Sequence, residues 1–307
     1  MWVRVLGSAA GGGFPQWNCG CRNCDGLRRG SIQARSRTQT SVAVSPDRHT
    51  WFLIHASPDI RTQIESFTPL HPRSGRDTPI AGILLTNGDL DQCLGLLSLR
   101  ESQPLHLYAT DRVRDGFIHG NKLYRSLTRT PDQITWHTLK LRSAQKRLCL
   151  PDGTPSGLVV TSIPVLGKVP LHLQHELEPD EEDTIALLIH DSASGGTLAY
   201  VPCVARDSPE LMSMLISADC LFFDGTFWSE DELITMGLGR RSAGQMGHWA
   251  LDGPHGSLPM LAALNPLRRI LIHVNNSNPI LDERSAERRL IDIAGIEVAY
   301  DGMQVVI

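Results

Sequence analysis

The sequence has no excess of basic residues: 29 Lys and Arg stand against 33 Asp and Glu, a formal net charge of -4 over 307 residues. A protein that grips a phosphate backbone needs the opposite balance, so nucleic acid is not an expected partner. No apolar run approaches the roughly 20 residues that cross a bilayer. The start, Met1-Trp-Val-Arg-Val-Leu-Gly7, lacks the basic stretch and apolar segment of a secretory leader. The expectation is a soluble, cytoplasmic protein with no membrane segment. Aromatic residues are scarce at 6%, yet hydrophobic residues reach 41%, enough at this length to bury a core without staples. Neither a short-period repeat nor a composition break divides the chain, so one domain over 1–307 is expected.

What is present is a succession of short apolar runs. Val3–Leu6, Thr40–Val44 and Trp51–Ile54 read as strands, and Ala81–Thr86 as a strand buried on both faces. Leu105–Ala109, Leu158–Ile163, Thr184–His190 and Leu198–Val201 continue the pattern. Cys220–Phe223, Arg269–Ile272 and Glu297–Tyr300 close it, each preceded by a predicted helix. A further helix is predicted over Cys93–Glu101. Strands interleaved with helices point to a layered α/β fold.

Cysteine is sparse but concentrated. Of seven, three fall in Cys19-Gly-Cys21-Arg-Asn-Cys24. Thiolates so spaced in a reducing compartment suit a structural zinc ion. Three sulfurs leave one ligand to find. Cys93, Cys149, Cys203 and Cys220 lie singly in apolar company and read as small core residues.

Three strand ends carry the remaining chemistry. After the buried strand comes Asn87-Gly-Asp89-Leu-Asp91-Gln92, whose carboxylates can bind a metal or move protons, or cap the following helix. Asp224 ends another strand and His248 follows about two dozen residues later, the pairing of an oriented imidazole or general acid. His273 ends a third, where α/β sheets present functional groups. His55 ends a fourth and could approach the same region. The other histidines read as surface or loop residues.

The Asn87–Gln92 segment resembles the H-x-H-x-D-H signature of the metallo-β-lactamase fold, with Asn87, Asp89 and Gln92 where histidines usually stand and Asp91 matching. More of the chain carries a closer resemblance. The glycine-rich start with C-x-C-x-x-C, Ala56-Ser-Pro-Asp-Ile-Arg61, Thr86–Asp91, Phe223–Thr226, Met246-Gly-His248, His273–Pro279 and Ala299–Met303 look like the pyrroloquinoline quinone (PQQ) biosynthesis protein B family. The resemblance implies an αββα four-layer sandwich and zinc on Cys19, Cys21 and Cys24. It also implies a role in making PQQ from a Glu- and Tyr-containing precursor, with iron-dependent hydroxylation of the tyrosine-derived intermediate. Older inference in the family is transport of PQQ or its precursor to the periplasm.

Comparison with phosphodiesterase relatives of the fold places a bridging aspartate where this chain reads Tyr200-Val-Pro-Cys203, and a histidine where it reads Val165-Leu-Gly-Lys168. Both ligands are missing, which disfavours two-metal hydrolysis. The expected metal set is Asp89, Asp91 and His273, for Fe(II) or another divalent ion. Asp224 and His248 are the expected catalytic pair, and Arg61, His248 and His273 the expected substrate contacts. The same relatives place the fourth zinc ligand at Asn276, with Asn275 as the alternative. The readings carried forward are a hydroxylase, a carrier protein on the same pocket, a metal-dependent hydrolase, and a homodimer as a candidate assembly.

Overall fold

The computed structural model describes residues 1–120, 122–142, 145–264 and 268–307. Its strands in chain order are β1 (Trp2–Gly7), β2 (Ser41–Ser45), β3 (Trp51–Ile54), β4 (Ile80–Leu84), β5 (Leu105–Ala109) and β6 (Ile134–Thr138). There follow β7 (Lys146–Cys149), β8 (Pro155–Pro164), β9 (Ile185–Asp191), β10 (Thr197–Val201), β11 (Cys220–Asp224), β12 (Arg268–Ile272), β13 (Glu297–Val298) and β14 (Gln304–Val306). They form two sheets, ordered β14-β1-β2-β3-β4-β5-β6 and β13-β12-β11-β10-β9-β8-β7. In each sheet an antiparallel part passes into a parallel one: β3 to β6 run parallel, as do β10 to β13.

Alternation along the strands builds the layers, because successive side chains leave a strand on opposite faces. Phe52 and Ile54 of β3, with Val42 and Val44 of β2, meet Phe222, Tyr200 and Ile189 of the second sheet in a shared core. Leu53 and Ile83 face the other way, onto Ile60 of a helix over Ile60–Glu65 and Val113 and Phe117 of a helix over Asp111–His119. Leu221, Phe223 and Leu271 pack on Leu211, Leu215, Leu261 and Ile291 from helices over Pro209–Ile216, Ser257–Ala263 and Ala286–Ile293. Each such aliphatic or aromatic burial contributes about 1.5–3 kcal/mol. The result is helix, sheet, sheet, helix, as the sequence reading expected.

Two local expectations change. The segment 93–101 is not one helix: a short α-helix spans Leu90–Cys93 and a 3-10 helix Leu94–Leu99. Gly95 is pressed onto the loop after β3, where a Cβ would lie 2.0 Å from the Ser57 carbonyl oxygen, and this contact sets the path of the chain. The cysteine segment opens a helix over Arg22–Arg29, whose N-cap is Cys21 accepting from the Cys24 amide. His106 and His137 are half-buried strand neighbours that stack with ring centroids 5.0 Å apart.

Candidate metal centre and active site

Parallel strands deliver their carboxyl ends to one edge, and both sheets do so here. His55 follows β3, Thr86 follows β4, Cys203 follows β10, Asp224 ends β11 and His273 follows β12. His55 and His273 both take positive φ, 70° and 59°. That left-handed turn is costly for most side chains and tolerated by histidine, and it bends the chain sharply as each strand ends.

Asp224 is the hub. Its fully buried carboxylate accepts from the amides of Val204 (3.1 Å) and Thr226 (3.0 Å), from the Thr226 hydroxyl (2.6 Å) and from His248 Nδ1 (2.8 Å). With its proton given to Asp224, the Thr226 Oγ1 is left to accept from His273 Nδ1, 2.9 Å away. Both imidazoles are thereby held through Nδ1, leaving Nε2 as the free nitrogen, which is how metal-binding histidines are oriented. The rings stack, centroids 5.3 Å apart. Asp224 was expected in the catalytic pair with His248; it is fully buried and is bonded to His248 directly and to His273 through Thr226.

Asp91 reaches the centre from the other sheet, its Oδ2 lying 3.0 Å from His273 Nε2. Burial alone would raise the Asp91 carboxyl, but the His273 imidazole, Lys168 and His55 outweigh it and hold it below the ordinary carboxylate range. A separation of 3.0 Å matches two ligands bound side by side to one ion at about 2.1 Å each, so the donors fit a divalent metal. Gly11 of the glycine loop borders Asp91 closely enough that a Cβ there would lie 3.5 Å from its carboxyl carbon.

The expected set of Asp89, Asp91 and His273 does not converge in this form. Lys168 Nζ pairs with Asp89 Oδ2 at 2.8 Å, so a tethered ammonium holds that carboxylate. Burial disfavours the charged Lys168, yet Asp89 outweighs it and raises the ammonium above its usual pKa. The group that does converge is Cys203, His248 and His273, one donor atom from each within 4.8 Å of the others. The sequence reading left Cys203 in the core, although the vacant aspartate position had marked it. Arg61 is exposed on the helix over Ile60–Glu65, whereas His248 and His273 are buried. A cleft of about 780 Å³ lined by Arg142, Leu166, Asp183 and Arg206 opens onto Lys168.

The second cluster lies beside the first. The Cys19, Cys21 and Cys24 sulfurs are mutually within 4.8 Å. The Asn276 side-chain amide sits among them, 3.1, 3.7 and 3.4 Å from the three sulfurs. Its nitrogen and oxygen exchange by a simple flip, which turns a donor to sulfur into an oxygen ligand for a metal. Asn275 instead donates to Ser277 Oγ. Burial pushes the Cys24 thiol up to about 11, while backbone and side-chain donors bring Cys21 down despite burial.

Residues 50–274 match the model of the β-lactamase superfamily domain. The coenzyme PQQ synthesis protein B of Pseudomonas fluorescens (strain SBW25) is 42% identical over 306 residues, covering 99% of both chains. That of Pseudomonas putida (strain GB-1) is likewise 42% identical, with 99% of each covered. Among solved structures, Zn(2+)-bound PqqB from Methylobacterium extorquens is 40% identical with a TM-score of 0.91 over 100% of each chain. A diphosphatase from the PhnP family, 21% identical, aligns at a TM-score of 0.68 over 100% of this chain and 97% of its own, a likeness of fold.

Proposed function

The chain belongs to the coenzyme PQQ synthesis protein B family, within the metallo-β-lactamase fold, and from that membership we propose that it hydroxylates the tyrosine-derived precursor of PQQ. The carrying observation is that His248 and His273, each held through Nδ1, bring donor atoms within 4.8 Å of one another, and that Asp91 Oδ2 lies 3.0 Å from His273 Nε2. Two histidines and one carboxylate make up the facial set of mononuclear iron oxygenases. Fe(II) bound there would supply the oxygen chemistry.

The chain's own residues do the rest. Asp224 and Thr226 fix both rings, so the metal-facing nitrogens need no reorganisation. Lys168, at the edge of the cleft, presents a fixed positive charge suited to the precursor's carboxylates. The Cys19, Cys21, Cys24 and Asn276 cluster holds zinc in this reading and pins the strand-end segment carrying His273 three residues earlier. The chain works as one unit over 1–307.

Anaerobic loading with Fe(II), followed by oxygen and Glu-Tyr-type precursors, tests the proposal. Oxygen-dependent gain of a ring hydroxyl is expected from the wild type and loss of at least about 100-fold from His273→Ala. Iron-loaded protein that yields no oxygenated product would overturn it. The carrier reading is favoured by Lys168 alone, a positive charge at the cleft; it requires that metal-free protein bind PQQ in a calorimeter. A two-metal hydrolase is the weakest reading, since Lys168 holds the carboxylate that a second ion would need.

A further inference from the structure

Position 92 offers an amide where the fold's signature has an imidazole, and position 203 a thiol where the phosphodiesterase relatives have a carboxylate. The two side chains touch: Gln92 Nε2 donates to Cys203 Sγ at 3.2 Å. A consistent chain of partners accompanies this placement of the Gln92 amide. The Thr86 hydroxyl donates to Gln92 Oε1 at 3.1 Å, and His55 Nε2 donates in turn to Thr86 Oγ1 at 2.8 Å. Thr86 has one proton to give, so it must accept from His55. The oxygen of Gln92 is thereby occupied and its NH2 group points at the thiol.

All four residues are fully or almost fully buried. An N–H directed at a sulfur is the outer partner that stabilises a metal-bound thiolate. It does nothing comparable for a thiol that merely fills a core. The sulfur it addresses lies within 4.8 Å of a donor atom of both His248 and His273.

We propose that Cys203 is a ligand of the active-site metal, giving this chain a centre of one thiolate, two imidazoles and the Asp91 carboxylate, with Gln92 as the hydrogen-bond partner of the sulfur. On binding, the Cys203 S–H bond breaks, its proton passes to solvent, and the sulfur lone pair goes to the divalent cation. A thiolate in the set shifts preference from hard ions toward Zn(II), Co(II) and other soft or borderline ones. The replacement at position 92 thus removes a ligand of the first sheet, while that at position 203 exchanges a carboxylate ligand of the second sheet for a thiolate. The Lys168 ammonium on Asp89 neutralises the carboxylate that the first sheet no longer uses for metal.

This inference rests on the reading that the pocket holds a metal, and its test needs no substrate. The full chain is stripped of metal under reducing, anaerobic conditions and given one equivalent of Zn(II). The three-sulfur cluster retains that ion against Co(II), because zinc outranks cobalt at such a site. Co(II) is then titrated. The wild type is expected to take up one cobalt per chain with a sulfur-to-cobalt charge-transfer band in the near ultraviolet. Cys203→Ser is expected to lose the band and to bind cobalt at least about tenfold more weakly. Gln92→Leu should keep the band but shift it.

Cobalt-edge absorption on the wild type supplies a reading that needs no variant to fold, a sulfur neighbour at about 2.3 Å. A shell of nitrogen and oxygen alone, a band unchanged in Cys203→Ser, or failure to bind a second ion would each overturn the proposal. Iron-dependent hydroxylation with a sulfur-free shell would overturn it and leave the proposed reaction standing. Sulfur-bound cobalt in a protein that hydroxylates nothing would do the reverse.

Discussion

His55 shows how a single buried residue writes itself into the pH dependence of folding. Burial pushes its imidazole down to about 3, with Asp91 opposing and His273 reinforcing the shift. The unfolded residue titrates near 6.5. A depressed folded-state value means that the unfolded chain binds the proton first, so the contribution is fully present above pH about 6.5 and is lost as pH falls towards 3. The shift corresponds to at most about 4–5 kcal/mol. Urea midpoints across that window should fall steeply for the wild type and less steeply for His55→Gln, which can still donate to Thr86. Equal slopes would remove His55 from the account. Asp224 acts on the metal through its two dependants, so Asp224→Asn should weaken the active-site metal about 10–100-fold while metal at the cysteine cluster stays. Metal titration by calorimetry with the cluster pre-loaded separates the two.

At the scale of elements, the path from β4 to β5 is decided by contact. Gly95 would drive a Cβ to 2.0 Å from Ser57 O and 2.7 Å from Ala56 O, both backbone atoms that cannot step aside. Gly95→Ala should therefore cost about 2–3 kcal/mol, read as a lowered melting temperature. Gly75→Ala, where nothing lies within 4 Å, should stay within about 0.5 kcal/mol of the wild type. Gly95 matters to the site because its segment directly continues the short helix over Leu90–Cys93 that carries Asp91 and Gln92, so the alanine variant should also bind the active-site metal less tightly. The helix over Arg22–Arg29 is a comparable case. Cys21 is both its N-cap and a thiolate of the cluster, which ties the ordering of that helix to whatever ion the sulfurs hold.

Across the whole molecule, two clusters of potential metal ligands meet one short stretch, His273 in one and Asn276 beside the other. They nonetheless draw their remaining donors from different parts of the chain. Metal counted per chain should fall by one in Cys21→Ser, with the active-site ion retained, and by one in Asp91→Ala, with the cluster ion retained. If either variant lost both ions, the clusters would be one cooperative unit. Among the described residues no helix is long and apolar enough to cross a membrane. The two sheets share their core through residues from β1 to β14, so a change in one sheet is felt at the edge where both deliver the site.

Sequence alone determined the layers, because apolar runs and the helices between them follow from spacing, and β5 was legible to the residue as Leu105–Ala109. It also determined the three-sulfur cluster, whose ligands are neighbours in the chain, and the strand-end positions of Asp224 and His273. Helix 111–119 and β6 went unread, their signals being weak in apolar periodicity. Tertiary structure decided which polar groups meet. Asp89 was free to bind metal on paper until Lys168, 79 positions away, arrived beside it. Cys203 looked like core until folding set it between two imidazoles and Gln92, 111 positions distant. Local pattern reports what a residue does to its own strand or helix. A site assembled from five strand ends depends on how two sheets are laid together, and that register is carried by the packing between them.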